Sequence, residues 1–142
     1  MIRASTNTQT ASVSMPRYRV LVVDDEPVVR ALLRAALEPT GSRLVEACDG
    51  SEAIEVAWRE QPDLVLLDVG LPKLSGLDVC RALKTNPLAP RVLLITGDST
   101  ADGIDDCGAD GVVAKPFAPD ALVEKIERTL ALESALGAVA AN

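Results

Sequence analysis

The sequence has 142 residues, of which 48% are hydrophobic and 25% charged, and its formal net charge is −7. These values are typical of one globular domain and exclude an intrinsically disordered chain. The negative charge, without any basic stripe, argues against direct nucleic-acid binding, and no apolar run is long enough to span a membrane. Because the sequence contains no histidine, Ser-His and Cys-His catalysis and histidine-ligated zinc are also excluded.

Residues 1–17 are polar and rich in Ser and Thr, and we expect them to form a flexible tail. They contain no hydrophobic core of a signal peptide. The three cysteines, Cys48, Cys80 and Cys107, lack metal-ligand spacing and are expected to be reduced and at least partly buried. These features together indicate a cytoplasmic protein.

From residue 18 onward, short apolar runs alternate with helical patterns. The first run, 18–23, leads directly into Asp24 and Asp25, and Pro27 suits the first turn of a helix. Apolar residues then recur at the spacing of one helical face. These residues are Val29, Leu32, Leu33, Ala36 and Leu37. The segment 39–41, Pro-Thr-Gly, is expected to end this helix.

The second and third strands follow the same alternation. A short strand is predicted at 43–47, and Asp49 or Ser51 is expected to cap the next helix. In that helix, Ile54, Ala57 and Trp58 are expected to face inward. The apolar run 64–67 then predicts a third strand that ends in Asp68.

The remainder of the chain predicts two further strands. A helix through Leu77, Cys80 and Leu83 precedes a strand that ends at Thr96. The segment from Thr100 to about Cys107 leaves room for only a short fourth helix.

The last predicted strand is 111–114, and Lys115 follows it directly. The final helix begins near Ala118, with Leu122, Val123, Ile126 and Leu130 facing inward, and an Ala-rich tail or helix extension occupies 133–142. This alternation predicts an α/β fold, a doubly wound sheet of five parallel strands.

Five polar residues lie at the ends of the predicted strands: Asp24, Asp25, Asp68, Thr96 and Lys115. Taken singly, each has an ordinary explanation as a helix cap, a turn residue or a surface lysine. In a parallel sheet, however, the carboxyl ends of the strands meet at one crevice. Three carboxylates gathered there repel one another, and Mg²⁺ with one ammonium would bring the site close to neutrality.

Such a site has a definite chemistry. A carboxylate on a central strand, here Asp68, can attack a phosphoryl group and form an acyl phosphate. The metal and Lys115 would neutralise the phosphoryl oxygens, and Thr96 could donate a hydrogen bond to the group once it is bound. We therefore expect a site for phosphoryl transfer.

The motifs at these strand ends resemble the receiver domain of two-component response regulators. The matching segments are 22–27, 66–72, Gly76, 94–97 and 108–117, so the resemblance covers about residues 18–132. The resemblance implies a flavodoxin-like (βα)5 fold with strand order 2-1-3-4-5. It also implies a partner, a histidine kinase or a histidine phosphotransfer protein, and a downstream protein that the sequence does not name.

The resemblance also implies a role for each matching residue. Asp68 is the expected phosphoacceptor, and Mg²⁺ is expected on Asp24, Asp25, Asp68 and the backbone carbonyl of Gly70. Three more residues are expected to bind the phosphoryl oxygens and to change conformation when Asp68 is phosphorylated: Thr96, Gly97 and Lys115. The peptide bond between Lys115 and Pro116 is expected to be cis.

Two departures from the family pattern concern the output side of the domain. Val112 occupies the position that usually holds a switching Tyr or Phe. The stretch from Thr96 to Lys115 is about three residues shorter than is common, so the fourth helix is expected to be stunted or partly irregular.

Gly70 and Asp98 flank the expected path of an attacking water.

Only about ten residues follow the last predicted helix, which favours a stand-alone receiver over a fragment of a larger regulator. Two other functions remain open. A degenerate receiver would bind its partner without phosphorylation, as the aliphatic Val112 and the short fourth helix suggest. An Mg²⁺-dependent phosphatase with an Asp nucleophile is less favoured, because those enzymes carry an Asp-x-Asp motif where this chain has adjacent Asp24 and Asp25.

Overall fold

The structure, a computed structural model, describes residues 18–98 and 102–141, with side chains as far as Ala131. Its five strands form one parallel sheet in the order β2-β1-β3-β4-β5. The strands are β1 (Arg19–Val23), β2 (Arg43–Ala47), β3 (Leu64–Asp68), β4 (Arg91–Thr96) and β5 (Gly111–Ala114). The predicted α/β class and the strand order 2-1-3-4-5 are both confirmed.

Four α-helices are described: α1 (Pro27–Leu37), α2 (Gly50–Glu60), α3 (Gly76–Lys84) and α4 (Pro119–Ala141). Pro27 occupies the first turn of α1, where its missing N–H is not needed. Asp49 caps α2 by accepting from the backbone N–H of Glu52, and Ser75 caps α3 by accepting from Asp78. A single turn of 3-10 helix (Glu38–Thr40) ends α1, and Gly41 follows it in the left-handed conformation.

The core forms two layers, one on each face of the sheet. Side chains alternate along each strand, so Val20 and Val22 of β1 join one layer while Leu21 and Val23 join the other. Helices α1 and α4 cover the first layer, and α2 and α3 cover the second. Strands β1, β3 and β4 are therefore buried on both faces, as their continuous apolar runs predict.

Two expectations about side-chain burial, those for Leu32 and Cys48, need correction. Leu32 belongs to the predicted apolar face of α1, but 57% of its surface is exposed. Cys48 is exposed, whereas Cys80 and Cys107 are buried, and all three are free thiols. In the described part of the predicted fourth helix, 102–107 forms turns and bends, while Thr100 and Ala101 lie outside the described residues. The predicted tail, 1–17, also lies outside them.

None of the described helices combines the length and the apolar character needed to cross a bilayer.

Candidate functional site

The strand ends place the predicted polar residues at one edge of the sheet. β1 is followed by Asp24 and Asp25, β3 ends in Asp68, β4 ends in Thr96, and Lys115 follows β5. These strands are neighbours in register, with Asp68 opposite Ile95 and Thr96 opposite Ala114. The structure thus brings all five residues to the carboxyl edge, where parallel sheets bind ligands.

Asp24 is fully buried, and the chain holds it from several sides. Its backbone N–H donates to the Ala47 carbonyl at 3.2 Å, and its carboxylate Oδ1 accepts from the backbone N–H of Glu26 at 2.9 Å. The other carboxylate oxygen, Oδ2, is buried and has no hydrogen-bond donor among the described residues. A buried carboxylate oxygen without a donor is costly, so its presence needs an explanation.

Lys115 links two of the carboxylates. Its Nζ donates to Asp68 Oδ1 at 3.1 Å and lies 3.5 Å from Asp24 Oδ2, an ion-pair contact too long for a good hydrogen bond. One ammonium therefore faces two carboxylates of low exposure, with a third, Asp25, at the exposed rim. Net negative charge remains in this pocket.

The pKa values of the two buried partners reflect this environment. Burial raises the pKa of the Asp24 carboxyl above its ordinary value, and the backbone N–H of Glu26 only partly offsets the rise. Burial lowers the pKa of the Lys115 ammonium, but the hydrogen bond and charge of Asp68, with the charge of Asp24, outweigh burial and leave it raised. The acidic neighbours thus stabilise the Lys115 ammonium, whereas burial leaves the Asp24 carboxylate incompletely stabilised.

The donor set fits a hard divalent cation. One carboxylate oxygen from each of Asp24, Asp25 and Asp68 lies within 4.8 Å of the others. Oxygen ligands at such spacing, combined with the buried Asp24 oxygen that has no hydrogen bond, are of the kind that Mg²⁺ prefers. Gly70 lines the same cavity, and a Cβ at that position would meet Asp68 Oδ2 at 3.9 Å.

The carboxylates open into a solvent-connected cavity of about 610 Å³. Among the described residues that line it, Lys115 is the one cation. Those residues are Asp25, Glu26, Asp68, Val69, Gly70, Thr96, Gly97, Asp98 and Lys115. The cavity has room for a phosphoryl group beside Asp68.

Thr96 and Lys115 are also joined through the backbone. The Lys115 N–H donates to the Thr96 carbonyl at 2.8 Å, which extends the β4–β5 pairing by one residue. The Thr96 hydroxyl turns back on its own loop, where it donates to the Asp98 carbonyl at 3.2 Å and accepts from the Asp98 N–H at 3.0 Å. Gly97 lies between them, and among the described residues other than its two chain neighbours no atom comes within 4 Å of the position that its Cβ would occupy.

The start of α3 presses against the main chain of Asp68. A Cβ at Gly76 would lie 2.2 Å from the Asp68 carbonyl oxygen and 2.8 Å from the Val69 Cα, which no real side chain tolerates. The Gly76 N–H donates to the Val69 carbonyl at 3.1 Å. Gly76 belongs to the family motif without an assigned role, and the close approach of α3 to the Asp68 peptide unit explains why glycine is needed there.

Two further expectations concern the β5 region. The Lys115–Pro116 peptide bond is cis, the geometry that the resemblance implied. Val112 is partly buried and packs against the core layer beneath α2 and α3. It pairs in register with Leu94 of β4.

Sequence reasoning missed the contacts that hold the loop after β1. Arg30 of α1 donates from Nη1 to the Asp24 carbonyl at 2.6 Å and from Nε to Glu46 Oε1 at 3.0 Å. Arg34 pairs with the other oxygen of Glu46. Both arginines lie on the polar side of α1, and the sequence pattern alone predicts that this side is simply exposed to solvent.

Comparison with known proteins agrees with this geometry. The model of the response regulator receiver domain family matches residues 20–127. The chain belongs to that family. The regulatory protein TcrX of Mycobacterium tuberculosis, named as a probable transcriptional regulator, is 44% identical over 114 residues, which cover 78% of this chain and 49% of TcrX. MtrA of Mycolicibacterium smegmatis, named as a DNA-binding response regulator, is 40% identical over 117 residues, 80% of this chain and 51% of MtrA.

Solved receiver structures show the same likeness. A putative response regulator from Chloroflexus aurantiacus superimposes with a TM-score of 0.77 at 32% identity, covering 82% of this chain and 99% of that one. The chemotaxis protein CheY4 of Vibrio cholerae gives 0.74 at 27% identity, covering 78% and 97%. The chain spans about half the length of the curated relatives it matches. As a receiver domain, it is a signalling module of two-component systems.

Proposed function

We propose that Asp68 accepts a phosphoryl group from a phosphohistidine of a partner histidine kinase or histidine phosphotransfer protein. One observation carries the proposal: carboxylate oxygens of Asp24, Asp25 and Asp68 lie within 4.8 Å of one another, the Lys115 ammonium contacts Asp68, and Asp25, Asp68 and Lys115 line one solvent-connected cavity. A structural ion cluster would need no such opening to solvent.

The reaction would be an in-line displacement at phosphorus. A carboxylate oxygen of Asp68 attacks, a P–O bond forms, and the P–N bond to the donor's imidazole breaks. The leaving imidazole takes up a proton and remains with the partner. The absence of histidine from this chain agrees with a protein that receives a phosphoryl group from another.

The chain's own residues would position and neutralise the group. Asp24, Asp25, Asp68 and the Gly70 carbonyl would hold Mg²⁺, which, when bound, supplies charge neutralisation at the phosphoryl oxygens. Lys115 already contacts Asp68 Oδ1, so its ammonium would pair with a phosphoryl oxygen close to the carboxylate. This arrangement stabilises the charge that develops during transfer.

Phosphorylation would then act on Thr96. The hydroxyl would leave the Asp98 turn and donate to a phosphoryl oxygen, with Gly97 offering its open space and backbone. Because the Thr96 carbonyl accepts from the Lys115 N–H, a change at Thr96 reaches both β4 and β5. A downstream protein would recognise this changed face.

We place the activity in residues 18–132, with 1–17 and 133–142 as flanking segments, and we propose that the protein acts in the cytoplasm. The described receiver carries no basic stripe, and a protein is therefore its proposed downstream partner rather than nucleic acid.

Labelling with acetyl phosphate and Mg²⁺, followed by intact-mass measurement, tests the proposal. The native chain should gain one phosphoryl group, and Asp68→Asn should gain none. Asp63→Asn is a matched control, since Asp63 lies at the opposite edge of the sheet, where it accepts from the Arg19 N–H. Equal labelling of native chain and Asp68→Asn would overturn the proposal.

A degenerate receiver is the second candidate, and Val112 is the observation that favours it. An aliphatic side chain packed on the core offers no aromatic ring that could rotate toward a partner. Absence of labelling under every condition, together with a partner that binds native chain and Asp68→Asn equally, would support it. Continuous release of phosphate from small esters would instead indicate a phosphatase.

A further inference from the structure

Arg30 forms a bridge between α1, the loop after β1 and the end of β2. Its guanidinium donates through Nη1 to the Asp24 carbonyl at 2.6 Å and through Nε to Glu46 Oε1 at 3.0 Å. Only 18% of its side chain is exposed, and the Glu46 side chain is 32% exposed. A guanidinium held by two acceptors is fixed in orientation, because its donors form a rigid planar fork.

This bridge completes the restraint of Asp24. The main-chain carbonyl is held by Arg30, the N–H by the Ala47 carbonyl, and carboxylate Oδ1 by the Glu26 N–H. With these three groups fixed, Oδ2 is the part of the residue that has no hydrogen bond within the described chain, and it faces the Lys115 ammonium at 3.5 Å. The restraint on the backbone and on Oδ1 thus limits where Oδ2 can lie.

We infer that Arg30, itself oriented by Glu46, is a positioning residue for the metal-binding carboxylate of Asp24. The inference rests on the proposed function, in which Asp24 holds Mg²⁺. Arg30 would not touch the metal; it would act by fixing the peptide unit that carries a ligand, as outer partners of metal ligands commonly do.

Electrostatics and positioning predict opposite results for the loss of Arg30. Removing a cation beside a cation site should strengthen Mg²⁺ binding if charge alone mattered. Removing a restraint on a ligand should weaken it. The direction of the change therefore separates the two effects.

Arg34 offers a matched control on the same helix. It pairs with the same carboxylate, Glu46, but its side chain is 53% exposed, and it makes no contact with Asp24 among the described hydrogen bonds. Substituting either arginine by Ala removes one positive charge and one partner of Glu46. Only the Arg30 substitution releases the Asp24 carbonyl.

The test is calorimetric titration of the phosphoryl-free chain with MgCl₂, which needs no phosphoryl transfer. Relative to the native chain, Arg30→Ala should bind Mg²⁺ about tenfold more weakly, and Arg34→Ala within about twofold. Equal or tighter binding by Arg30→Ala, an equal loss in Arg34→Ala, or a native chain that binds no Mg²⁺ would each overturn the inference.

Circular dichroism and urea unfolding of each variant would show that it is folded. If Arg30→Ala does not fold, Arg30→Lys and Arg34→Lys provide the same comparison, since Lys keeps the charge but not the paired nitrogens. The same experiments distinguish failure of the proposed function from failure of the positioning role. A native chain that binds Mg²⁺ with the expected dependence on Arg30, yet never labels at Asp68, would contradict phosphoryl transfer and leave the positioning role intact.

Discussion

Two ion clusters lie at opposite edges of the sheet, and the aspartates at their centres, Asp110 and Asp24, differ in how completely their carboxylate oxygens are hydrogen-bonded. At the amino edge, Asp110 accepts from Lys84 Nζ, Arg91 Nη1 and the Val92 N–H, all between 2.8 and 2.9 Å. At the carboxyl edge, Asp24 is more deeply buried, yet one of its oxygens has no hydrogen-bond donor among the described residues.

The pKa shifts of the two aspartates follow this difference. Burial raises the pKa of the Asp110 carboxyl, but the bonds from Lys84, Val92 and Arg91 together outweigh burial, and the net pKa is lowered. For Asp24, burial prevails and the pKa is raised. The Asp110 cluster, here called the closed cluster, stabilises the fold. The cluster of Asp24, Asp68 and Lys115, here called the open cluster, retains a carboxylate oxygen that could bind a ligand.

The largest expected effect concerns the cation of the open cluster. Lys115→Ala should slow the labelling of Asp68 by acetyl phosphate about 100-fold, because the ammonium that would neutralise the phosphoryl group is lost. Intact-mass time courses measure this rate. Lys84→Ala, which removes an ammonium from the closed cluster, should label at the native rate. Similar slowing in both variants would mean that Lys115 acts only through the fold.

Loss of the closed cluster should instead affect stability. Asp110→Asn should lower the free energy of unfolding by about 1–3 kcal/mol at pH 7, because two cations and the Val92 N–H lose a charged acceptor. Urea unfolding followed by circular dichroism measures the change. Labelling of the folded fraction at Asp68 should be unaltered, and a stability equal to that of the native chain would contradict the structural role.

The Asp110 contribution should also depend on pH in one direction. Since the folded pKa lies below the ordinary value of 3.8, the stabilisation is complete above that value and is lost as pH falls through the folded pKa. The difference in unfolding free energy between native chain and Asp110→Asn should therefore be constant from pH 5 to 7 and shrink below about 3.8. A difference that grows on acidification would reverse the assignment.

The smallest effect has the opposite sign. Asp24→Asn should raise the unfolding free energy by about 1 kcal/mol in the presence of EDTA, because it removes a buried negative charge with an unbonded oxygen. Excess Mg²⁺ should stabilise the native chain more than the variant, since binding stabilises the state that holds the ligand. Thermal unfolding with and without Mg²⁺ measures both. Destabilisation of the variant in EDTA would show that Asp24 is already satisfied.

The sequence predicted the fold because its signals were local and mutually consistent. Apolar runs fixed the strands, and the polar residue that ends each run marked one edge of the sheet. The predicted convergence of Asp24, Asp68 and Lys115 follows from the rule that parallel strands share their carboxyl edge. Their proximity was therefore accessible without coordinates, although their roles stay predictions.

What the sequence could not predict depends on packing between distant segments. Leu32 falls at the margin of the apolar face of α1, and whether a neighbour covers it is decided by other elements. The Arg30 contact with the Asp24 carbonyl depends on one side-chain conformation that Glu46 selects. Arginines on the polar side of a helix give no signal of such a contact, because solvated arginines are the usual case.

The close approach of Gly76 to the Asp68 carbonyl has a mechanical consequence. With no side chain between them, the first turn of α3 rests directly on the peptide unit of the acceptor residue. Because no side chain lies between them, a shift of the Asp68 peptide toward α3 would displace the start of α3, so that β3 and α3 would move together. Even a methyl group at position 76 would force the start of α3 away from the Asp68 peptide unit.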